Sequence, residues 1–289
     1  MSSLVPFSFA LALKAVYLSF ASYCDSDVLL AWSCLWCSKL PKATNTTAVA
    51  DAGWTSVTGG YGYVAFFDDS AADADLKNTI VVSFRGSADV QNWLRNLDAT
   101  QTWPYEENPN IAVHAGFYAV FQSIEQSIRA GVLDALAQCP TCDKLLCTGH
   151  SLGAAIAGLC AFEYSDVFRG SHAGPRRLNV SMINFGMPRL GNRAFSRHFA
   201  KRPLHRVWRN VHANDIVPHV PLQYQFPYFD SFEHVSTQYW WPDDNVTDFR
   251  ECNGPEDPTC SDSVPLWETS IEDHETYLGV TKISCSDDN

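Results

Sequence analysis

One junction constrains the fold more than any other stretch of the chain. Leu145–Thr148 reads as a short buried strand. Ala154–Tyr164 reads as a helix rich in Ala, whose small side chains let it sit close to a sheet. Gly149-His150-Ser151-Leu152-Gly153 joins the two. A strand that passes at once into a helix needs a tight, strained turn, and glycines two before and two after a serine let the neighbouring backbones approach. A Gly-x-Ser-x-Gly arises by chance in roughly one chain in ten of this length and composition, so the strand-to-helix context carries the signal.

The rest of the chain repeats the same alternation. Tyr61–Phe67, Thr79–Arg85, Asn179–Phe185 and Val207–Val211 read as strands. Gly116–Cys139 predicts a long helix, because Phe117, Val120, Phe121, Ile124, Ile128, Val132 and Leu136 recur at helical spacing, and Asn192–Ala200 predicts a short one. Strands alternating with helices imply an α/β fold with a mostly parallel central sheet and helices on both faces. Residues 242–265, rich in Asp, Pro and Cys, read as a loop. No linker or internal repeat divides the chain, so residues 1–289 are expected to form a single domain. Residues 1–24 are either an N-terminal helix or a residual signal segment. The apolar run Leu4–Phe20 has neither a positive start nor a clear cleavage site, which favours the helix. Lys14 interrupts that run, and no integral membrane span is expected.

Charge and cysteine content narrow the partners. The net charge of -12 disfavours nucleic acid and anionic lipid but says nothing against neutral esters or an uncharged lipid surface. Ten cysteines and the sequons at Asn45, Asn179 and Asn245 point to an oxidising compartment, hence a secreted glycoprotein. Cys34/Cys37 and Cys139/Cys142 are CxxC pairs too far apart in sequence to suggest one four-ligand zinc site, so short-loop disulfides are expected there, with Cys252–Cys260 clipping the 242–265 loop. Zinc or redox CxxC chemistry and other pairings are the alternatives.

A serine hydroxyl is a weak nucleophile. It needs a base, and the base needs an orienting acid, expected here in the chain order Ser, Asp/Glu, His. Asp215, in Asn210-Val-His-Ala-Asn-Asp-Ile-Val-Pro218, falls just beyond a strand at the carboxyl edge of the sheet; a turn or capping role is its bland alternative. His274, near the C-terminus, is the matching base. The other histidines fit less well. His219 lies between two prolines beside Asp215, and His150 should point away from its neighbour Ser151. His172, His198 and His205 sit in basic stretches expected to be exposed, and His212 and His234 read as core or edge residues.

Together these motifs resemble the secreted class 3 lipases, the fungal triacylglycerol lipase family of the α/β-hydrolase fold. The likeness extends over roughly Ala12 to Cys285. It rests on Val82-Ser-Phe-Arg-Gly-Ser87, Val113-His-Ala-Gly-Phe117, Thr148-Gly-His-Ser-Leu-Gly153, Asn184-Phe-Gly-Met-Pro-Arg-Leu-Gly-Asn192, Asn214-Asp-Ile-Val-Pro218 and the Asp273-His274 segment. The resemblance implies a triad of Ser151, Asp215 and His274, with no cofactor and no metal. It implies an oxyanion hole made of the Ser87 hydroxyl and backbone N–H with the Leu152 N–H. It also implies a structural role for His114 and a disulfide between Cys24 and Cys285. Cys147 and Cys160 depart from the family, which has plain apolar residues there. Two buried free thiols are expected, with a mutual bond as the alternative.

The family also holds feruloyl esterases, so the fold leaves the substrate open between lipid and small ester. Val90, Trp93, Leu94 and Leu97 fall on one face of a helix after Ser87, capped by Ser87 or Asp89, with Asp89, Gln91, Asn92, Arg95 and Asn96 on the other. Within a lid region spanning 87–112, that stripe would cover the cleft in water and meet an oil–water interface when open. Exposing the four side chains would cost up to roughly 6–10 kcal/mol. A fixed helix packed on the core is the bland alternative. The expected activity is hydrolysis of acylglycerol esters by a monomeric triacylglycerol lipase. The alternatives are a feruloyl or other carboxylesterase, a phospholipase, and a catalytically inactive hydrolase-like binding protein.

Overall fold

A computed structural model describes residues 6–50, 59–168, 176–223, 231–283 and 285. The helices are α1 (Phe9–Ala21), α2 (Ser26–Leu30), α3 (Val90–Arg95), α4 (Ala115–Gln138), α5 (Leu152–Val167) and α6 (Arg193–Phe199). The strands are β1 (Asn45–Ala50), β2 (Tyr61–Phe67), β3 (Thr79–Phe84), β4 (Gln101–Thr102), β5 (Val113–His114), β6 (Lys144–His150), β7 (Asn179–Phe185), β8 (Arg206–His212), β9 (Gln238–Trp241) and β10 (Arg250–Glu251).

Eight strands form one sheet in the order β1-β2-β3-β6-β7-β8-β9-β10. The five from β3 to β9 run parallel, and antiparallel strands close both edges. This is the mostly parallel α/β arrangement that the alternating pattern requires. Side chains alternate along each strand. Ile80, Val82, Leu145, Cys147, Val180 and Met182 face a core built with α4, α5 and α6. Val81, Leu146, Ile183 and Phe185 face the opposite core under α1 and α2. Helices therefore cover both faces, and the centre of the sheet is dry on each side.

Residues 9–21 form a helix seated on the sheet. Its N-cap is Ser8, whose hydroxyl accepts from Leu11 N–H. The C-terminal end is tied to the central strands. Tyr63 and Ser83 hydroxyls both donate to the Leu18 carbonyl, and the Ser19 hydroxyl meets that of Thr148 at 2.9 Å. Lys14, the charge that breaks the apolar run, pairs with Asp73 and Asp75 at 2.6 and 2.7 Å. Among the described residues no helix is long and apolar enough to cross a membrane.

Cysteines are joined as Cys24–Cys285, Cys34–Cys37, Cys139–Cys142 and Cys252–Cys260, while Cys147 and Cys160 are free and buried. The pairings exclude the zinc reading of the CxxC motifs. Residues 242–265 are less irregular than their composition predicts. β10 pairs with β9, and Ser261–Ser263 forms a single 3-10 turn. The edge strand β1 and the inner strand β9 carry weak sequence signals, because half of Asn45-Thr-Thr-Ala-Val-Ala50 is polar and Gln238–Trp241 is only four residues long.

Candidate active site

The turn at Ser151 has the geometry that the flanking glycines permit. Ser151 follows β6 directly and adopts φ 61°, ψ -129°, a region that costs a non-glycine residue about 1–3 kcal/mol. The cost is met by close backbone packing. A methyl group on Gly149 would lie 2.4 Å from the Gly153 carbonyl, and one on Gly153 would lie 2.1 Å from that of Phe84. Only glycine lets the elbow press against itself and against the exit of β3. The Ser151 backbone N–H is engaged, donating to the Phe185 carbonyl at 3.0 Å. The next N–H, that of Leu152, opens α5, where no preceding helical carbonyl can take it. The helix N-terminus also favours negative charge at this spot.

One strand end and one 3-10 turn bring the other two groups to the same edge. Asp215 follows β8, and His274 sits in the 3-10 turn Asp273–Glu275. Segment 266–271 is fastened to the Asp215 loop, since Ser270 N–H donates to Asn214 O and Ile216 N–H donates to Ser270 O. His274 Nδ1–H donates to Asp215 at 2.9 Å from Oδ2 and 3.0 Å from Oδ1. A carboxylate only accepts, so the proton stays on Nδ1 and the Nε2 lone pair is left open. Nε2 of His274 and Oγ of Ser151 are both buried and have no hydrogen-bond partner among the described residues. Ser151, Asp215 and His274 are each 0% exposed, so the site is sealed in this state.

A support layer surrounds this line, and sequence reasoning missed it. Tyr277 donates its hydroxyl to Asp215 Oδ2, and Val217 N–H donates to Oδ1 at 2.8 Å. Burial pushes the Tyr277 phenol well above its usual range, which keeps it a donor. His150 Nε2–H donates to the His274 carbonyl at 2.8 Å, and its Nδ1 accepts from the Tyr23 hydroxyl at 2.8 Å. Burial holds this imidazole well below its usual range, so it stays neutral as the bridge requires. The bridge runs from just beyond α1 to the backbone of His274. Gly186, at φ +60°, leaves room for the His274 ring: a methyl group there would lie 2.6 Å from His274 Cε1. The motif quoted for the resemblance contains Gly186, but nothing local in it points to a residue so distant in the chain.

The competing histidines are occupied elsewhere. His219 Nδ1 lies 2.9 Å from the Asp215 carbonyl and Nε2 3.1 Å from that of Ser261, so neither nitrogen faces Ser151. His114 caps α4 by accepting from Gly116 and Phe117 N–H, and burial lowers it to about 4. His212 and His234 are buried. His198 and His205 are half-buried rather than exposed, and His198 Nδ1 lies 3.2 Å from the Ala194 carbonyl of its own helix. His172 lies outside the described residues.

The segment after β3 runs beside the elbow. A methyl group on Gly86 would fall 2.9 Å from Ser151 Cβ, which brings the segment that carries Ser87 beside Ser151. α3 follows, capped by Asp89 rather than Ser87, with Asn92 N–H donating to Oδ1 at 2.8 Å. The helix is shorter than its apolar spacing predicts. It stops at Arg95, where the Asn96 side chain donates to the Asn92 carbonyl, and Leu97 lies beyond it. The stripe still turns inward. Val90 is buried, Trp93 stacks over Phe117 with ring centroids 6.2 Å apart, and Leu97 packs on the same core. Trp93, Leu94 and Leu97 are only half-buried, so lifting α3 costs less than four full burials, about 3–5 kcal/mol. A surface cavity of about 570 Å³ lies elsewhere, between Tyr105, Phe162 and Arg202, and none of these site residues lines it.

Residues 81–225 match the family described as Lipase (class 3). A lipase of Rhizomucor miehei is 30% identical over 93% of this chain and 68% of its own length. A secreted mono- and diacylglycerol lipase of Fusarium solani is 29% identical over 66% of this chain, which spans 54% of that protein. The solved structure of Rhizomucor miehei triacylglyceride lipase superposes with a TM-score of 0.74 at 29% identity, covering 95% of each chain.

Proposed function

The chain belongs to the class 3 lipase family, and on that premise we propose that it is a triacylglycerol lipase acting at an oil–water interface through Ser151, Asp215 and His274. It is an ester hydrolase of the α/β-hydrolase fold. The observation that carries the finer reading is the sealed site. All three side chains are 0% exposed, and the segment that leaves β3 through Ser87 enters a short helix with an apolar face turned inward and a polar face turned out. Substrate can enter only after something lifts, and the 87–112 region is the segment whose buried face suits lipid.

In the proposed cycle, α3 swings aside and the acyl chain enters an apolar groove. Ser151 Oγ attacks the ester carbonyl as His274 Nε2 takes its proton. Asp215, fixed by Tyr277 and Val217, holds the imidazole tautomer and stabilises the imidazolium. The oxyanion is held by the Ser87 hydroxyl and N–H and by the Leu152 N–H. The alcohol leaves with the proton from His274, and water activated by the same nitrogen then releases the fatty acid. We further read the protein as secreted and monomeric. Four disulfides and exposed sequon residues Asn45, Asn179 and Asn245 support secretion, and the net charge of -12 opposes self-association.

The test compares substrates across the solubility limit. Specific activity on a short triglyceride is expected to rise as droplets form. Trp93→Ala should lower turnover of the emulsion more than that of a dissolved short ester, since Trp93 offers the largest apolar surface of α3. Equal losses on both substrates would make Trp93 a core residue. Strong turnover of methyl ferulate with none of the emulsion would move the chain to the feruloyl esterases.

A further inference from the structure

Two nucleophilic groups in the molecule take no part in the proposed cycle. Cys147 sits on β6 ahead of Ser151, and Cys160 sits on α5 beyond it. Both are free and 0% exposed, and their Sγ atoms are 3.1 Å apart. The other eight cysteines are already joined in four bridges. A disulfide has an S–S length of about 2.05 Å, so closing this pair requires a relative shift of about 1 Å. The strand and helix that carry them meet backbone to backbone at Gly149 and Gly153, which fixes the approach of the two sulfurs. Both thiols belong to the core on the α4 and α5 side of the sheet, among Val82, Met182 and Leu159.

We infer that Cys147 and Cys160 are a closable dithiol, and that a small peroxide converts them to a fifth disulfide whose ring encloses the strained turn at Ser151. One sulfur attacks hydrogen peroxide, breaking the O–O bond. It leaves a sulfenic acid and releases water. The second sulfur attacks the first, breaking the S–O bond. The hydroxyl departs as water with the proton of the second thiol. Two S–H bonds and one O–O bond are lost, one S–S bond and two O–H bonds form, and two electrons pass to the peroxide. Burial pushes the Cys160 thiol up, which makes the reaction slow. Burial also shuts out bulky disulfides, so closure on the neighbouring sulfur prevails over mixed adducts. The bridge braces β6 against α5 and so holds the elbow from behind. It does not reach the cleft, so turnover should not change.

The native protein is incubated with hydrogen peroxide, quenched, and denatured in an alkylating reagent without reductant. Complete loss of alkylatable thiols is expected, with a peptide that links Cys147 to Cys160. The melting temperature should rise by roughly 5–10 °C, as for a short loop closed in a chain of this size. The half-life at inactivating temperature should lengthen, with kcat within two-fold of the untreated protein. Cys160→Ala, which suits the Ala-rich α5, should abolish both the linked peptide and the peroxide-dependent stabilisation. Two thiols that stay alkylatable after prolonged treatment overturn the inference. So does oxidation to sulfinic acid without a cross-link, or a cross-link that leaves the melting temperature unmoved.

Discussion

Ser151→Ala and His274→Ala should each lower kcat by roughly ten-thousand- to a million-fold while leaving the fold intact. The two atoms removed are Ser151 Oγ and His274 Nε2, which are buried and have no hydrogen-bond partner among the described residues. Asp215→Asn should cost less than the loss of the nucleophile or base. Ser151 and His274 remain, but the amide can present its N–H to Nδ1 and favour the wrong imidazole tautomer. Circular dichroism and melting temperature separate a catalytic loss from unfolding. His219→Ala supplies the control, because its nitrogens face the carbonyls of Asp215 and Ser261 rather than the serine. A dead His219→Ala beside a mildly affected His274→Ala would reverse the assignment.

Ser87→Ala should reduce kcat by about 100- to 1000-fold, the usual cost of losing one oxyanion donor. β3 and β6 are parallel neighbours, with Phe84 opposite Gly149, so the residues leaving β3 run beside the elbow. A methyl group on Gly86 would lie 2.9 Å from Ser151 Cβ, and Ser87 is the next residue along. The bond to oxygen strengthens as the carbonyl becomes tetrahedral, so KM should change little. A variant within a few-fold of the parent in kcat would mean that the oxyanion is held elsewhere.

The elements that sequence exposed are those in which cause and effect are close in the chain. The elbow was legible because its strand, glycines, serine and helix are contiguous. α4 was legible because its apolar residues keep helical period over its whole length, and its observed limits, Ala115–Gln138, differ from the expectation by one residue at each end. Asp215 could be placed because a strand ends just before it. The support layer was not legible. Tyr23, His150, Gly186 and Tyr277 come from four segments that meet only in the folded sheet, and each looks ordinary among its neighbours. The end of α3 was missed for a related reason. Apolar spacing extends to Leu97, but the Asn96 side chain bonds to the helix backbone and stops it. The sealing of the site was beyond reach as well, because amphipathic spacing says which face of α3 is apolar and not how deeply it is buried.

The most direct test of the account is covalent labelling of the nucleophile with a fluorophosphonate, read by peptide mass with and without detergent micelles or an oil phase. A serine polarised by His274 and sealed beneath a movable helix should carry a single adduct, on Ser151. It should form slowly in water and faster when an apolar phase lifts α3, and be lost in His274→Ala. An adduct on another residue, no adduct under either condition, or a rate indifferent to the apolar phase would contradict it.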